Sequence, residues 1–152
     1  MAVTQFVLFK LDQEEFGVEI THVKEIIKPL QIIKVPNTPV TIEGVVNLRG
    51  KVYPIFNLRK KFRFTDKAID DDTKILIIDV NGRDIGFISD QVTEIVRMES
   101  DTIVDTPDLV VGVDRKFIRG LVNMGERPIV LLDLEFILST TEEDEIRTMC
   151  DA

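Results

Sequence analysis

Nucleophilic or acid–base chemistry needs a Ser, Cys or Thr beside a base, and that base is most often His. This chain carries one His and one Cys. His22 lies in a stretch that recurs later with Gln91 in its place. A neutral amide is no duplicate for a general base, so His22 reads as a polar surface or turn residue. Cys150 sits near the end of the chain with no basic side chain beside it to lower its pKa. One Cys makes neither a disulfide framework nor a Cys-based zinc site, which suits a reducing compartment. The run Asp70-Asp71-Asp72 lacks the alternating spacing, central Gly and terminal Glu of a calcium loop, and reads as a solvated linker. Gly44 and Gly50 are separated by apolar residues with no following Lys-Ser/Thr, so no phosphate cradle is predicted. No catalytic residue, metal or cofactor is expected.

The residue that stands out is Arg49. It lies in Gly44-Val-Val-Asn47-Leu48-Arg49-Gly50, whereas a later copy reads Gly120-Leu-Val-Asn123-Met124-Gly125. The shared glycines and asparagines fit tight backbone and a turn hydrogen bond. Where one turn accepts Gly, the other carries a rigid five-donor fork. Two roles stay open for Arg49, an internal salt bridge or a contact to a partner.

The elements that position these residues follow from comparing the sequence with itself. Residues 6–27 align without gaps on 75–96, with Gly17/Gly86, Val23/Val92, Glu25/Glu94 and Ile26/Ile95 identical. Residues 44–58 align on 120–134, with Asn47/Asn123 and Leu58/Leu134 identical. The chain therefore reads as two copies of one unit, roughly 6–68 and 75–138, followed by an acidic tail, 139–152, expected to fray. Each copy consists of short runs rich in Val, Ile and Phe, broken every 8–12 residues by turn residues, as in barrels and sandwiches. Asn81-Gly82 is the strongest hairpin signal, since a type I′ turn needs positive φ twice. The matching turn Asp12-Gln13-Glu14-Glu15 is expected to be looser. Thr21, Ser89 and Thr38-Pro39 are predicted to start single helical turns, and 133–139 a short helix. Ile26 and Ile95, duplicated and apolar, are predicted to be core.

Composition bounds the rest. With 152 residues, 44% of them apolar, the chain suffices for one domain or two very small ones. No stretch reaches the ~20 apolar residues of a membrane span, so no direct membrane insertion is expected. No secretory signal is read at the start, and a cytoplasmic protein is expected. The net charge of −8 argues against nucleic-acid binding. The charge is uneven, +2 over 1–76 and −10 over 77–152. Between Gly44 and Thr65 stand Arg49, Lys51, Arg59, Lys60, Lys61 and Arg63 without one acid. That stretch is either a solvated surface or a docking patch for an acidic partner. Phe56, Phe62 and Phe64 within it read as core rather than as stacking platforms for nucleic acid.

The segment from Asn37 through Pro39, Ile42, Gly44, Asn47, Arg49, Gly50 and Pro54 to Arg59, with Glu15-Phe16-Gly17-Val18 and Gly120–Leu134, closely resembles the CheW-type coupling proteins of bacterial chemotaxis. The likeness runs from about Thr4 to Ser139. It implies a mainly β fold of two intertwined five-stranded SH3-like barrels with short helices. It implies an adaptor rather than an enzyme, joining the cytoplasmic tip of methyl-accepting chemoreceptors to the regulatory domain of the histidine kinase CheA. By resemblance, Ile20, Val23, Glu25 and Arg49 face the receptor, with Val92 added from the second barrel. The kinase contact falls around Val40, Ile42 and Gly44, with a further ring contact near Leu109. A detached kinase regulatory domain, a coupling protein of a non-swimming pathway and a small β-barrel enzyme are the alternatives.

Overall fold

In the computed structural model, which describes residues 2–104 and 113–151, ten strands form two five-stranded sheets. The first copy supplies β1 (Val3–Leu11), β2 (Glu14–Glu19), β3 (Val23–Ile27), β4 (Ile42–Leu48) and β5 (Lys51–Asn57). The second supplies β6 (Lys74–Val80), β7 (Arg83–Ser89), β8 (Gln91–Glu99), β9 (Ile118–Met124) and β10 (Arg127–Leu132). Neither sheet belongs to one copy. One has the order β8-β1-β2-β10-β9 and the other β3-β6-β7-β5-β4. Each takes the first hairpin of one copy and the last three strands of the other. This reciprocal exchange is the intertwining, and the sheets are open rather than closed barrels.

Strand periodicity explains the core. In β1, Phe6 and Leu8 point into a small cluster inside their own sheet with Ile129 and Leu131, while Val7, Phe9 and Leu11 point to the opposite face. In β6, Ile75 and Ile77 join Val46 and Ile55 inside the second sheet, while Leu76, Ile78 and Val80 turn away from it. The outward-turned residues of both sheets meet in one central cluster. A strand covered on both faces needs no polar side, hence the unbroken apolar runs Phe6–Phe9 and Ile75–Ile78. Aromatic rings span the centre, with Phe16 at 5.9 Å from Phe9 and 5.8 Å from Phe62, and Phe62 at 6.2 Å from Phe117. Phe56 and Phe62 are core as expected, and Phe64 packs against it.

Several local expectations are corrected. The Asp12–Gln13 turn is as short as Asn81–Gly82, since Leu11 pairs with Glu14 as Val80 pairs with Arg83. Asp12 takes the left-handed conformation at φ 56°, and its N–H donates to Asp90 at 2.7 Å. Asn81 takes the same conformation at φ 53°; the first turn differs in having Gln13 where the second has Gly82, and there a tertiary carboxylate holds the turn. No helix follows Thr38-Pro39; the Thr38 hydroxyl instead donates to the carbonyls of Val35 and Ile42. Ser89 is fully buried in β7 and bonds to the Lys74 carbonyl, whereas Thr21 does lie in a 3-10 turn, Ile20–His22. The helix expected over 133–139 is a single 3-10 turn, Leu134–Phe136. Ile26 and Ile95 are not core, being 38% and 54% exposed, because both strands bearing them lie at sheet edges.

The largest correction concerns the tail. Residues Thr140–Asp151 form helix α2, with Ile146 fully buried in the central cluster and Met149 packed against it. The signal was present in Ser139-Thr-Thr-Glu142, an S-x-x-E capping box. Glu142 N–H donates to Ser139 Oγ at 3.1 Å, and Ser139 N–H returns to Glu142 Oε1 at 2.8 Å. The cap and one apolar face outweigh the charge of the sequence.

Candidate functional site

Arg49 and Gly50 form the two-residue connection between β4 and β5, both at positive φ (52° and 84°). Asn47 Oδ1 accepts the Gly50 N–H at 3.0 Å and pins the turn. From there the Arg49 fork reaches Glu25 on β3, one terminal nitrogen lying 2.7 Å from each carboxylate oxygen. Strands β3 and β4 are the two outer strands of their sheet, so this ion pair links edges that no backbone bond joins. The pair is largely exposed, with side chains 68% and 33% accessible. Both roles left open for Arg49 are therefore compatible with its position, and exposure makes the pair a weak stabiliser.

Ile20, Val23 and Val92 share one environment. Val23 on β3 sits opposite Ile78, and Val92 on β8 opposite Phe9; all three side chains are partly buried against the central cluster. They present apolar area where the two copies meet. Ile20 aligns with Ser89, which is fully buried at the end of β7, and the second copy passes on to β8 through Asp90 without a 3-10 turn.

The expected kinase loop resolves unequally. Val40 is 74% exposed, whereas Ile42 is 4% exposed and turned into the core, so its side chain anchors the loop instead of offering a contact. Gly44 carries φ 144°, and a Cβ there would lie 2.1 Å from the Ile33 carbonyl oxygen. Its role is to admit the Ile33 backbone, which bridges to Val45. Leu109 lies outside the described residues.

The basic stretch is not a free patch. Arg49 pairs with Glu25, Lys51 with Asp84, Lys60 with Glu43 and Lys61 with Glu142. Arg59, 6% exposed, bonds to Asp90 at 2.5 Å, Asp12 at 2.6 Å and the Thr65 carbonyl. The surface for an acidic partner is largely neutralised from within. Burial alone would raise the Asp84 carboxyl, but Lys24 and Lys51 hold it below its ordinary value.

His22 is exposed, as expected, at the rim of a cleft of about 580 Å³ between the β6–β7 turn and the end of β10. Among the described residues, no cluster of three or more His, Cys, Asp or Glu side chains is arranged to hold a metal ion, and no helix is long and apolar enough to cross a membrane.

Two sheets that exchange hairpins, with an apolar seam and an exposed Arg–Glu clasp, describe a scaffold of the duplicated SH3-like class. The family model described as a CheW-like domain matches residues 5–142. Chemotaxis protein CheW of Klebsiella aerogenes is 34% identical over 138 residues, covering 91% of this chain and 83% of that protein. Chemotaxis protein CheW of Helicobacter pylori is 33% identical over 136 residues, covering 90% and 82%. The crystal structure of the scaffolding protein TtCheW from Thermoanaerobacter tengcongensis is similar at TM-score 0.85 and 30% identity, with 93% of this chain and 92% of that one covered. The chain belongs to the CheW-like family of chemotaxis scaffold proteins.

Proposed function

We propose that this protein is a non-enzymatic cytoplasmic adaptor that couples methyl-accepting chemoreceptors to the regulatory domain of the kinase CheA. The observation that carries the reading is the family match over residues 5–142. The receptor's helical tip docks across Ile20, Val23 and Val92, whose partly exposed apolar atoms suit the stripe of an amphipathic helix. Arg49, held out by Glu25, pairs with a carboxylate at the rim of that contact. The kinase engages the loop that displays Val40.

Calorimetry with the kinase regulatory domain and with a receptor cytoplasmic fragment tests this. Two separable interactions are expected, at tens of micromolar or tighter, as suits signalling contacts of modest area. Absence of both overturns the reading. Arg49→Ala is expected to weaken the receptor interaction while thermal unfolding stays cooperative and unshifted. A large drop in melting temperature would assign Arg49 to the fold instead.

A further inference from the structure

Thr41 stands directly beside the exposed Val40, yet is itself only 7% exposed. Its carbonyl accepts the Asn57 N–H at 2.7 Å, which ties it to the end of β5. Its hydroxyl donates to Glu142, 101 residues away on α2. Glu142 is 5% exposed. Its other oxygen accepts from Lys61 Nζ at 2.6 Å and from the Ser139 N–H at 2.8 Å. Burial would raise this carboxyl, but Lys61, the Ser139 amide and Thr41 together hold it below its ordinary value. Lys61 is positioned in turn by the rings of Phe117 at 5.5 Å and Phe56 at 5.9 Å. One buried carboxylate thus joins the first turn of α2, the helix α1 (Leu58–Lys61) and the loop before β4. In the second copy Phe117 and Ile137 stand where Thr41 and Lys61 stand in the first, so no matching polar link forms there among the described residues.

We propose that Glu142 is a positioning residue for the Val35–Gly44 loop, and that α2 sets the affinity of this loop for the kinase regulatory domain without touching that partner. The inference rests on the kinase-binding reading above. A loop fixed before binding loses less conformational entropy when the partner arrives. Glu142 fixes Thr41, and Thr41 fixes the direction in which Val40 is displayed. Thr41 belongs to neither partner surface, and Glu142 is too deep to meet one.

The test compares the full chain with Glu142→Ala, Glu142→Gln and Thr41→Val. The readouts are calorimetric affinities for the CheA regulatory domain and for a receptor fragment, with amide hydrogen exchange over 38–44. Thr41→Val leaves α2 and its cap untouched, so it reports even if Glu142→Ala loosens the helix. The expected result is a roughly tenfold weaker kinase affinity for Glu142→Ala and Thr41→Val, receptor affinity within twofold of the parent, faster exchange at 41–44, and partial recovery in Glu142→Gln. The double variant Glu142→Ala/Thr41→Val is expected to be no weaker than either single one, since both remove one link. Unchanged kinase affinity in Thr41→Val, with the parent chain binding normally, overturns this inference alone. A parent chain that binds no kinase domain overturns the functional reading and this inference together.

Discussion

The β5–α1 junction and the end of β10 occupy equivalent places in the two sheets, and they are built on different physics. After β5, Asn57 caps α1 by accepting the Lys60 N–H, and Arg59 runs inward to bind Asp90, Asp12 and the Thr65 carbonyl. After β10, Asp133 caps a 3-10 turn by accepting the Glu135 N–H, but Glu135 stands where Arg59 stands in the first copy. There Asn81 Nδ2 donates to the Glu135 carbonyl at 3.0 Å, and Asp79 Oδ1 accepts the Gly82 N–H at 2.8 Å. One junction places a buried guanidinium beside a pocket of about 420 Å³ lined by Asn57, Lys60 and Asp90, and the other, with Glu135 in that place, borders the 580 Å³ cleft. The turns after β4 and β9 differ in the same sense. Arg49 grips Glu25 across the open edge of its sheet, while Gly125 has no side chain to offer Glu94, which forms no ion pair among the described residues. Duplication preserves strand pairing, because backbone bonds depend little on side-chain identity. The clasps diverge, because each rests on one residue. The first copy thus carries a buried cation at this junction, and the second an exposed acid.

The widest separation between the two junctions is expected from removing their central residues. Arg59→Met leaves Asp90 buried without its partner and should cost about 3–5 kcal/mol by urea unfolding, whereas Glu135→Ala should stay within about 0.5 kcal/mol. Equal costs would break the comparison. Gly44→Ala comes next, at about 2–3 kcal/mol from a left-handed backbone and a rigid carbonyl in the way. Gly120→Ala should cost less, because its backbone is not left-handed and the nearest carbonyl, that of Val104, lies at 3.0 Å instead of 2.1 Å, although Ile103 Cγ2 at 2.5 Å must shift.

Acid should loosen the first copy through Glu142. Its folded pKa lies below the ordinary 4.5, so its contribution is fully present above that pH and is lost as pH falls through the lower folded value. The unfolding midpoint of the parent is expected to fall more steeply than that of Glu142→Gln as pH drops below about 4.5. Parallel curves would remove the buried carboxylate from the account. Small effects are likewise expected from Ile26→Asp and Ile95→Asp, each within about 1 kcal/mol because both side chains are already exposed at edges.

That last prediction marks where reading residues alone misleads. Identity between Ile26 and Ile95 reflects shared ancestry and carries no information on burial, since an edge strand turns alternate residues outward however apolar they are. The hairpin at Asn81-Gly82 was legible because Gly and Asn pay little for positive φ, whereas the equally tight Asp12 turn depends on Asp90, which lies 78 residues away. Helix α2 is encoded by a local capping box, Ser139 to Glu142, which the acidity of the segment does not override. The exposed Val40 and the buried Ile42 belong to one short stretch that a resemblance covers as a unit.

The sequence by itself determined the strands, the two copies, the family and the paucity of His and Cys, all of which depend on local patterns and on residue counts. Only the tertiary structure decided that each sheet draws on both copies, that the basic stretch is neutralised from within, and that Glu142 holds Thr41. Those outcomes depend on which distant groups meet. An ion pair is fixed by geometry in three dimensions, and spacing along a chain carries no record of it.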